Sequence, residues 1–163
     1  MDKANIQREK YPEKIATKLI NNYNIIKRIG FGSSGLVYKV TKKDDITNKI
    51  YILKQIPYSE PNLEETTKKA NSGLNEALIL SKLTCKYIVK YYDSFIDSDY
   101  NLNIIMEYCD NGDLNTYIQN QKKIKKYLTE NEIWNFFIQI SLGLAYIHSK
   151  KILHRDLKPM NIC

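Results

Sequence analysis

The stretch His154-Arg155-Asp156-Leu157-Lys158-Pro159-Met160-Asn161 is the most specific feature of this 163-residue chain. It follows an apolar segment of helical periodicity and the short strand-like pair Ile152-Leu153. Taken singly, Asp156 would be an ordinary loop carboxylate and His154 an ordinary core histidine. Together, at this spacing, the eight residues indicate a site of chemistry, and the rest of the chain decides which fold carries it.

A glycine-rich motif, Gly30-x-Gly32-x-x-Gly35-x-Val37, lies near the other end of the chain. Glycines let a backbone bend sharply and bring its N–H groups close to phosphate oxygens, where a Cβ would collide. Alone, the motif also fits a plain hairpin turn or the start of a dinucleotide-binding fold. The latter needs a helix after the glycines, whereas the pattern here predicts a strand, which excludes that fold.

Apolar periodicity predicts five strands with one helix inserted among them, and then helices. The strands are expected at residues 23–29, 36–40, 50–56, 89–95 and 101–107. The inserted helix is expected within 58–83, and a polar lead-in with a short amphipathic helix near 12–20 precedes the first strand. This order predicts an α+β fold with two unequal lobes.

The last long helix begins with a capping-box signature, Thr129 with Glu132 three residues later, and is expected to continue to residue 149. Apolar residues spaced four and three apart give this helix one apolar face. We call this face the stripe, and its members are Ile133, Phe137, Ile140, Leu144 and Ile147.

The net charge of +7 raises the possibility of a nucleic-acid partner. The densest basic cluster, residues 122–126, lacks interleaved aromatic residues and any nucleic-acid motif, so it is interpreted as a solvated loop. No apolar stretch has the length of a membrane span, and no secretion signal is visible. The three cysteines Cys85, Cys109 and Cys163 have no metal-ligand spacing. We therefore expect reduced thiols, a cytoplasmic location, and neither nucleic-acid nor membrane binding.

Two further features complete the pattern. The first is a strand lysine, Lys54, which is followed 22 residues later by Glu76. The second is the apolar strand 104–109, which leads into a polar linker. In this order and at these distances, the motifs resemble those of eukaryotic protein kinases, from about Tyr23 to Asn161. Residues 88–95, 106–114 and 146–161 are most similar to NIMA-related kinases.

The resemblance implies a protein-kinase-like fold with a five-stranded antiparallel N-lobe, one inserted helix and the first helices of a helical C-lobe. The implied organisation is an N-terminal extension, an N-lobe, a hinge and a partial C-lobe, at residues 1–22, 23–107, 108–112 and 113–163. The implied activity is ATP-dependent phosphorylation of serine or threonine in a protein substrate, with ATP and Mg²⁺ as cofactors.

By this resemblance, Asp156 accepts the proton of the substrate hydroxyl, Lys158 touches the γ-phosphate, and Asn161 holds Mg²⁺. Lys54 reaches the α- and β-phosphates and is held by Glu76, whose rivals Glu64 and Glu65 lie in a more polar context. The implied nucleotide-binding residues are Gly30, Phe31, Gly32, Ser33, Ser34, Gly35, Val37, Ile52, Lys54, Met106, Glu107, Cys109 and Asp113.

Within this set, Met106 shapes the back of the adenine pocket. Asp113 either bonds the ribose hydroxyls or caps the helix that follows.

The chain also departs from the family pattern. Two residues before Lys54, Ile52 replaces the small residue that is usual in the family. The wide spacing of Lys54 and Glu76 predicts an extended loop before the helix. The aspartate of the family's Asp-Phe-Gly motif is absent from the sequence. Two hypotheses follow. The chain is the N-terminal part of an active Ser/Thr kinase, or it is a catalytically dead nucleotide- or protein-binding module. In either case we expect the stripe to be partly exposed and open to a protein partner.

Overall fold

The computed structural model describes residues 19–32, 35–57 and 63–163. The chain divides into two units, one of residues up to Ser81 with Tyr91–Tyr108, the other of Lys82–Lys90 with Cys109–Cys163. The short helix predicted near residues 12–20 falls mostly outside the described residues. Its last two residues, Leu19–Ile20, form a strand instead, because they pair with Asn24 and Tyr23.

The first unit is built on one antiparallel sheet. Its strands are β1 Leu19–Ile20, β2 Tyr23–Gly32, β3 Gly35–Lys42, β4 Ile50–Pro57, β5 Tyr91–Ile96 and β6 Asn101–Glu107. They lie in the order β1-β2-β3-β4-β6-β5. The predicted α+β class with five antiparallel strands is confirmed, with the two-residue β1 as an addition at the edge. Strand β5 begins two residues later than predicted, after a turn in which the Ile88 N–H donates to the Cys85 carbonyl.

The main core lies on one face of this sheet, because alternate residues of a strand point to the same side. Leu36, Tyr38 and Val40 of β3 are buried in it, as is Leu53 of β4. Burial of these side chains removes a large apolar area from water, at about 25 cal/mol per Å². The sheet is thereby fixed in register, since a one-residue slip would expose this whole set.

Helix α1, Leu63–Ser81, packs on the opposite face of the sheet. Ala77 joins a second buried cluster with Ile56, Leu102 and Ile104. Gly73 lies one turn earlier, where an added Cβ would be 2.7 Å from Ile56 Cδ1. Two small residues four positions apart therefore let the helix approach β4 and β6 closely.

A polar cluster supports the β5–β6 hairpin. Asn103 is fully buried, and its amide donates to Asp97 Oδ2 at 3.0 Å, while Gln55 Nε2 donates to the same oxygen at 2.9 Å. Burial alone would raise the pKa of the Asp97 carboxyl. Hydrogen bonds from Asn103, Asn101 and the Asp99 backbone outweigh burial and hold the pKa below its usual value.

The second unit contains helix α2, Leu114–Lys123, helix α3, Glu130–Ser149, and the short 3₁₀ helix Pro159–Asn161. The predicted capping box is confirmed: the Thr129 hydroxyl accepts from the Glu132 N–H, and the Glu132 carboxylate accepts from the Thr129 N–H. Gly143 brings α3 against residue 87, whose carbonyl oxygen would lie 3.2 Å from an added Cβ.

The exposure of the stripe is also as expected. Ile147 is buried, but Ile133 and Phe137 are more than half exposed, and so are the neighbouring Trp134 and Ile138.

Candidate active site

Lys54 and Glu76 form a close ion pair in the first unit. Lys54 Nζ lies 2.8 Å from Glu76 Oε1 and 2.6 Å from Oε2, so the ammonium binds both carboxylate oxygens. The side chains are 15% and 37% exposed, respectively. Such a charge-assisted pair is stronger than a neutral hydrogen bond, and its partial burial protects it from solvent screening. Lys54 lies within β4, three residues before its end.

The close packing of α1 brings the two charges together. Glu76 directly precedes the buried Ala77, and Lys54 is flanked by the buried Leu53 and Gln55. The prediction of an extended loop before the helix is wrong. Helix α1 already begins at Leu63, so most of the long Lys54–Glu76 spacing is helical. The side chains of the rivals Glu64 and Glu65 lie outside the described residues.

The glycine-rich segment is a hairpin between β2 and β3. Gly30 pairs with Val37, Phe31 with Leu36, and Gly32 with Gly35. The strand that follows the glycines confirms the exclusion of a dinucleotide-binding fold. Ser33 and Ser34 lie outside the described residues.

Four of the predicted nucleotide-binding side chains share one face of the sheet. Val37 is the cross-strand partner of Lys54, and Ile52 is the partner of Met106. Ile52 and Lys54 are two residues apart on β4, and directly opposed residues point to the same side. The face therefore presents a charged group beside apolar side chains. Glu107 follows Met106 as the last residue of β6.

The octet forms a hydrogen-bonded loop in the second unit. Asp156 Oδ2 accepts from Lys158 Nζ at 2.8 Å and from Asn161 Nδ2 at 2.9 Å. Asn161 Nδ2 also donates to the Asp156 carbonyl at 2.8 Å, and His154 Nδ1 accepts from the Asp156 N–H at 3.3 Å. The hydrogen bonds from Lys158 and then Asn161 lower the pKa of Asp156, so its carboxylate is ionised at neutral pH. An ionised carboxylate in a fixed position can accept a proton.

Asp113 caps helix α2. Its carboxylate accepts from the Thr116 N–H at 2.8 Å and from the Thr116 hydroxyl at 3.0 Å. Of the two alternatives left open by the sequence, the cap is observed, and ribose binding stays a prediction.

The sequence did not predict that Cys109 and Cys163 are neighbours. Their sulfur atoms lie 2.9 Å apart, although the residues are 54 positions apart in the chain. Local periodicity carries no signal for such a contact, because it depends on the tertiary path of the second unit.

Comparison with known sequences decides the family. A sequence model described as the protein kinase domain matches residues 23–163. The chain belongs to the protein kinase family. It is 42% identical to the serine/threonine-protein kinase Nek11 of Homo sapiens over 153 residues, which cover 93% of this chain and 22% of the relative.

Two further relatives of this kinase-family chain are also Nek proteins. One is the serine/threonine-protein kinase Nek5 of Mus musculus, with 38% identity over 88% of this chain and 21% of the relative. The other is the probable serine/threonine-protein kinase nek2 of Dictyostelium discoideum, with 39% identity over 88% of this chain and 34% of the relative. The resemblance to NIMA-related kinases is thereby confirmed. The chain spans between about a fifth and a third of the length of these curated relatives.

Members of the protein kinase family use ATP and Mg²⁺, and the described residues fit the nucleotide. An ammonium has three N–H donors, and the two bonds from Lys54 to Glu76 leave a donor for a phosphate oxygen. Asn161 uses its amide nitrogen in both side-chain bonds, so its amide oxygen can bind a hard cation.

Two absences concern only the part of the chain that the structure describes. It holds no group of three histidine, cysteine, aspartate or glutamate side chains arranged for a metal. It also contains no helix both long enough and apolar enough to cross a bilayer.

Proposed function

We propose that this chain is the N-terminal part of a serine/threonine kinase domain that transfers the γ-phosphate of ATP to a protein hydroxyl. The observation that carries the proposal is the ion pair in which Lys54 Nζ binds both oxygens of Glu76. A strand lysine whose charge is merely solvated has no need of a carboxylate from a packed helix. A lysine fixed in this way presents its charge in one direction, as binding of a polyphosphate requires.

The nucleotide would be bound by the sheet face and the glycine hairpin. Lys54 binds the α- and β-phosphates, and Glu76 keeps it in position. Ile52 and Val37 contact the adenine plane, with Met106 at the back of its pocket. The backbone of the hinge, residues 108–112 with Glu107 before it, offers hydrogen bonds to the adenine edge. The proposed domain organisation keeps the predicted boundaries at residues 22, 107 and 112.

The catalytic loop would carry the transfer. Asp156 accepts the hydroxyl proton while the substrate oxygen bonds to the γ-phosphorus. The bond from that phosphorus to the β–γ bridging oxygen breaks, and ADP leaves. Lys158, which pairs with Asp156 at 2.8 Å, offsets the charge on the transferred group. Mg²⁺ supplies charge neutralisation on the phosphates when bound. Asn161 would give it one ligand, and Mg²⁺ characteristically takes others from phosphates and water.

We also propose a cytoplasmic location, because three thiols without metal-ligand spacing suit a reducing compartment. The stripe is proposed as the contact for a protein that covers α3, whose exposed apolar side chains include Phe137.

A second candidate function is a non-catalytic nucleotide- or protein-binding module. One observation favours it: part of the stripe is exposed. This module would bind ATP without transferring phosphate.

Transfer of radiolabelled phosphate from ATP to casein, by the protein as its gene encodes it, separates the two functions. The Asp156→Asn variant should lose about 10²- to 10⁴-fold in rate, because a general base contributes that much. The matched control is Asp44→Asn, an exposed aspartate in the turn between β3 and β4, which should retain the full rate. Equal rates for the wild-type protein and Asp156→Asn would refute the role of Asp156. ATP binding without any transfer would support the module instead.

A further inference from the structure

Cys109 and Cys163 form a contact that the proposed kinase chemistry does not use. Their Sγ atoms lie in non-bonded contact at 2.9 Å, and a shift of less than 1 Å would bring them to the separation of about 2.05 Å in a disulfide. Cys163 is exposed and Cys109 is partly buried. Two core thiols that merely fill space would both be buried and dry.

Backbone hydrogen bonds hold both cysteines in position. The Leu114 N–H donates to the carbonyl of Ile162, the residue before Cys163, at 2.8 Å. The Gly112 N–H donates to the Cys109 carbonyl at 3.2 Å, which closes the turn between Cys109 and α2. The two segments are therefore joined five residues from Cys109 and one residue from Cys163. Such a fixed pair favours the intramolecular reaction, because the reacting groups already lie together.

A metal site is a weaker explanation of the same pair. Two sulfur ligands do not complete the tetrahedral set that a structural zinc ion takes. In the described part of the chain, no third cysteine, histidine or carboxylate joins them as a metal-binding group. The remaining cysteine, Cys85, is also partly buried but belongs to a different segment of the unit.

We propose that Cys109 and Cys163 are an oxidation site at which hydrogen peroxide forms an intramolecular disulfide. One thiolate attacks a peroxide oxygen, the O–O bond breaks, and a sulfenic acid and water form. The second thiolate attacks the sulfenic sulfur, the S–O bond breaks, and a second water leaves. Two S–H groups thus give up two protons and two electrons to one peroxide. A thiol reductant reverses the reaction.

The disulfide has a consequence for the nucleotide site, and this consequence rests on the proposed function. Cys109 belongs to the predicted hinge, whose backbone would bond the adenine edge. A covalent link to Cys163 would fix the hinge residue and place a sulfur–sulfur bridge beside it. Oxidation should therefore weaken ATP binding, and reduction should restore it.

Intact-mass spectrometry and non-reducing peptide mapping test the oxidation site directly. The wild-type chain is treated with hydrogen peroxide at low stoichiometric excess, then alkylated. We expect a mass loss of two hydrogens and a linked peptide pair that contains Cys109 and Cys163. Cys85→Ser is the matched control and should form the same bridge. Cys109→Ser and Cys163→Ser should each fail to form it and should carry a sulfenic acid on the remaining partner.

Failure of the wild-type chain to form this bridge would overturn the proposal, and so would a bridge to Cys85 or an intermolecular bridge as the main product. The wild-type peptide map decides these outcomes even if a serine variant folds poorly.

Fluorescence titration with a labelled ATP analogue, before and after oxidation, tests the consequence. We expect a loss of affinity that dithiothreitol reverses in the wild-type chain and that is absent in Cys163→Ser. Unchanged affinity in the bridged protein would overturn the consequence. Failure of the proposed function is distinguishable, because Lys54→Met would then leave the affinity of the reduced protein unchanged.

Discussion

At the scale of single residues, two glycines with positive φ show how differently one residue type is used. Gly35 in the glycine hairpin has φ of +115°, and an added Cβ would overlap the Gln55 carbonyl oxygen. Gly112 after the hinge has φ of +75°, with nothing within 4 Å of an added Cβ. Both positions disfavour other L-residues, but only the first also lacks space. The close approach of β3 to β4 thus depends on Gly35.

Gly35→Ala should therefore destabilise the protein more than Gly112→Ala. The Gly112 variant should lose only the cost of a left-handed backbone, about 1 kcal/mol. The Gly35 variant should lose more than this, because strand β3 must also shift away from β4. Urea unfolding of the two variants measures the difference. If both variants lose the same free energy of unfolding, the overlap of the new Cβ with the Gln55 carbonyl oxygen does not destabilise the Gly35→Ala protein, which would contradict the prediction.

Asp97 gives a second prediction at this scale. The pKa of Asp97 is lowered in the folded protein, although burial alone would raise it. Its contribution to stability is therefore fully present above its unfolded pKa, near 3.8, and is lost as the pH falls through the lower folded value. Asp97→Asn should show less of this acid-induced loss. Urea unfolding at a series of pH values from neutral to acid checks it, and parallel curves for both proteins would contradict it.

At the scale of elements, the N-terminal end of α3 was predictable from sequence because its cap is local. Thr129 and Glu132 satisfy each other's backbone N–H groups, and the pKa of Glu132 falls to about 2 because it accepts from the Thr129 backbone, the Thr129 hydroxyl and Tyr117. The same local code places Asp113 as the cap of α2. Neither cap needs information from a distant part of the chain.

Thr129→Ala should accordingly destabilise the protein by about 1 kcal/mol, the usual cost of a lost N-cap. Asn131→Ala, at an exposed position in the first turn of the same helix, is the control and should cost little. Thermal unfolding by circular dichroism measures both. A larger loss for Asn131→Ala than for Thr129→Ala would refute the importance of the cap.

Other features of the elements could not be read from the sequence, because they depend on tertiary contacts. Strand β1 exists only through its pairing with Tyr23 and Asn24. Helix α1 extends back to Leu63 through a polar segment that shows weak periodicity. The neighbouring position of Cys109 and Cys163 depends on the bond from Leu114 to Ile162. By contrast, Lys54, Glu76 and Asp156 could be named as candidate site residues from the resemblance in motif order, and their roles stay predictions.

At the scale of the whole molecule, each of the two units carries its own group of candidate site residues. The first unit presents Lys54 on a sheet face, and the second fixes Asp156 in the catalytic loop. The second unit also has an exposed apolar surface on α3, where Phe137 is 59% exposed. Contiguous exposed apolar side chains of this kind mark an interaction surface or favour aggregation.

Phe137→Asp should therefore reduce self-association of the chain without lowering its folding stability. Ile147→Asp, on the same helix but buried, should instead unfold the second unit, because it places a charge in an apolar environment. Sedimentation velocity at increasing protein concentration gives the association, and circular dichroism gives the fold. Persistent association of a folded Phe137→Asp protein would assign the association to another surface.

The central claim is that Lys54, held by Glu76, binds the phosphates of ATP. The most direct test is a double-mutant cycle on ATP affinity with Lys54→Met, Glu76→Gln and the double variant, measured by isothermal titration calorimetry. Lys42→Met, an exposed lysine on β3, is the control. We predict that Lys54→Met weakens binding by about ten- to a hundredfold, the loss expected for a charged hydrogen bond. Because Glu76 acts through Lys54, the double variant should bind no more weakly than Lys54→Met. Unchanged affinity in Lys54→Met, or fully additive losses, would contradict the claim.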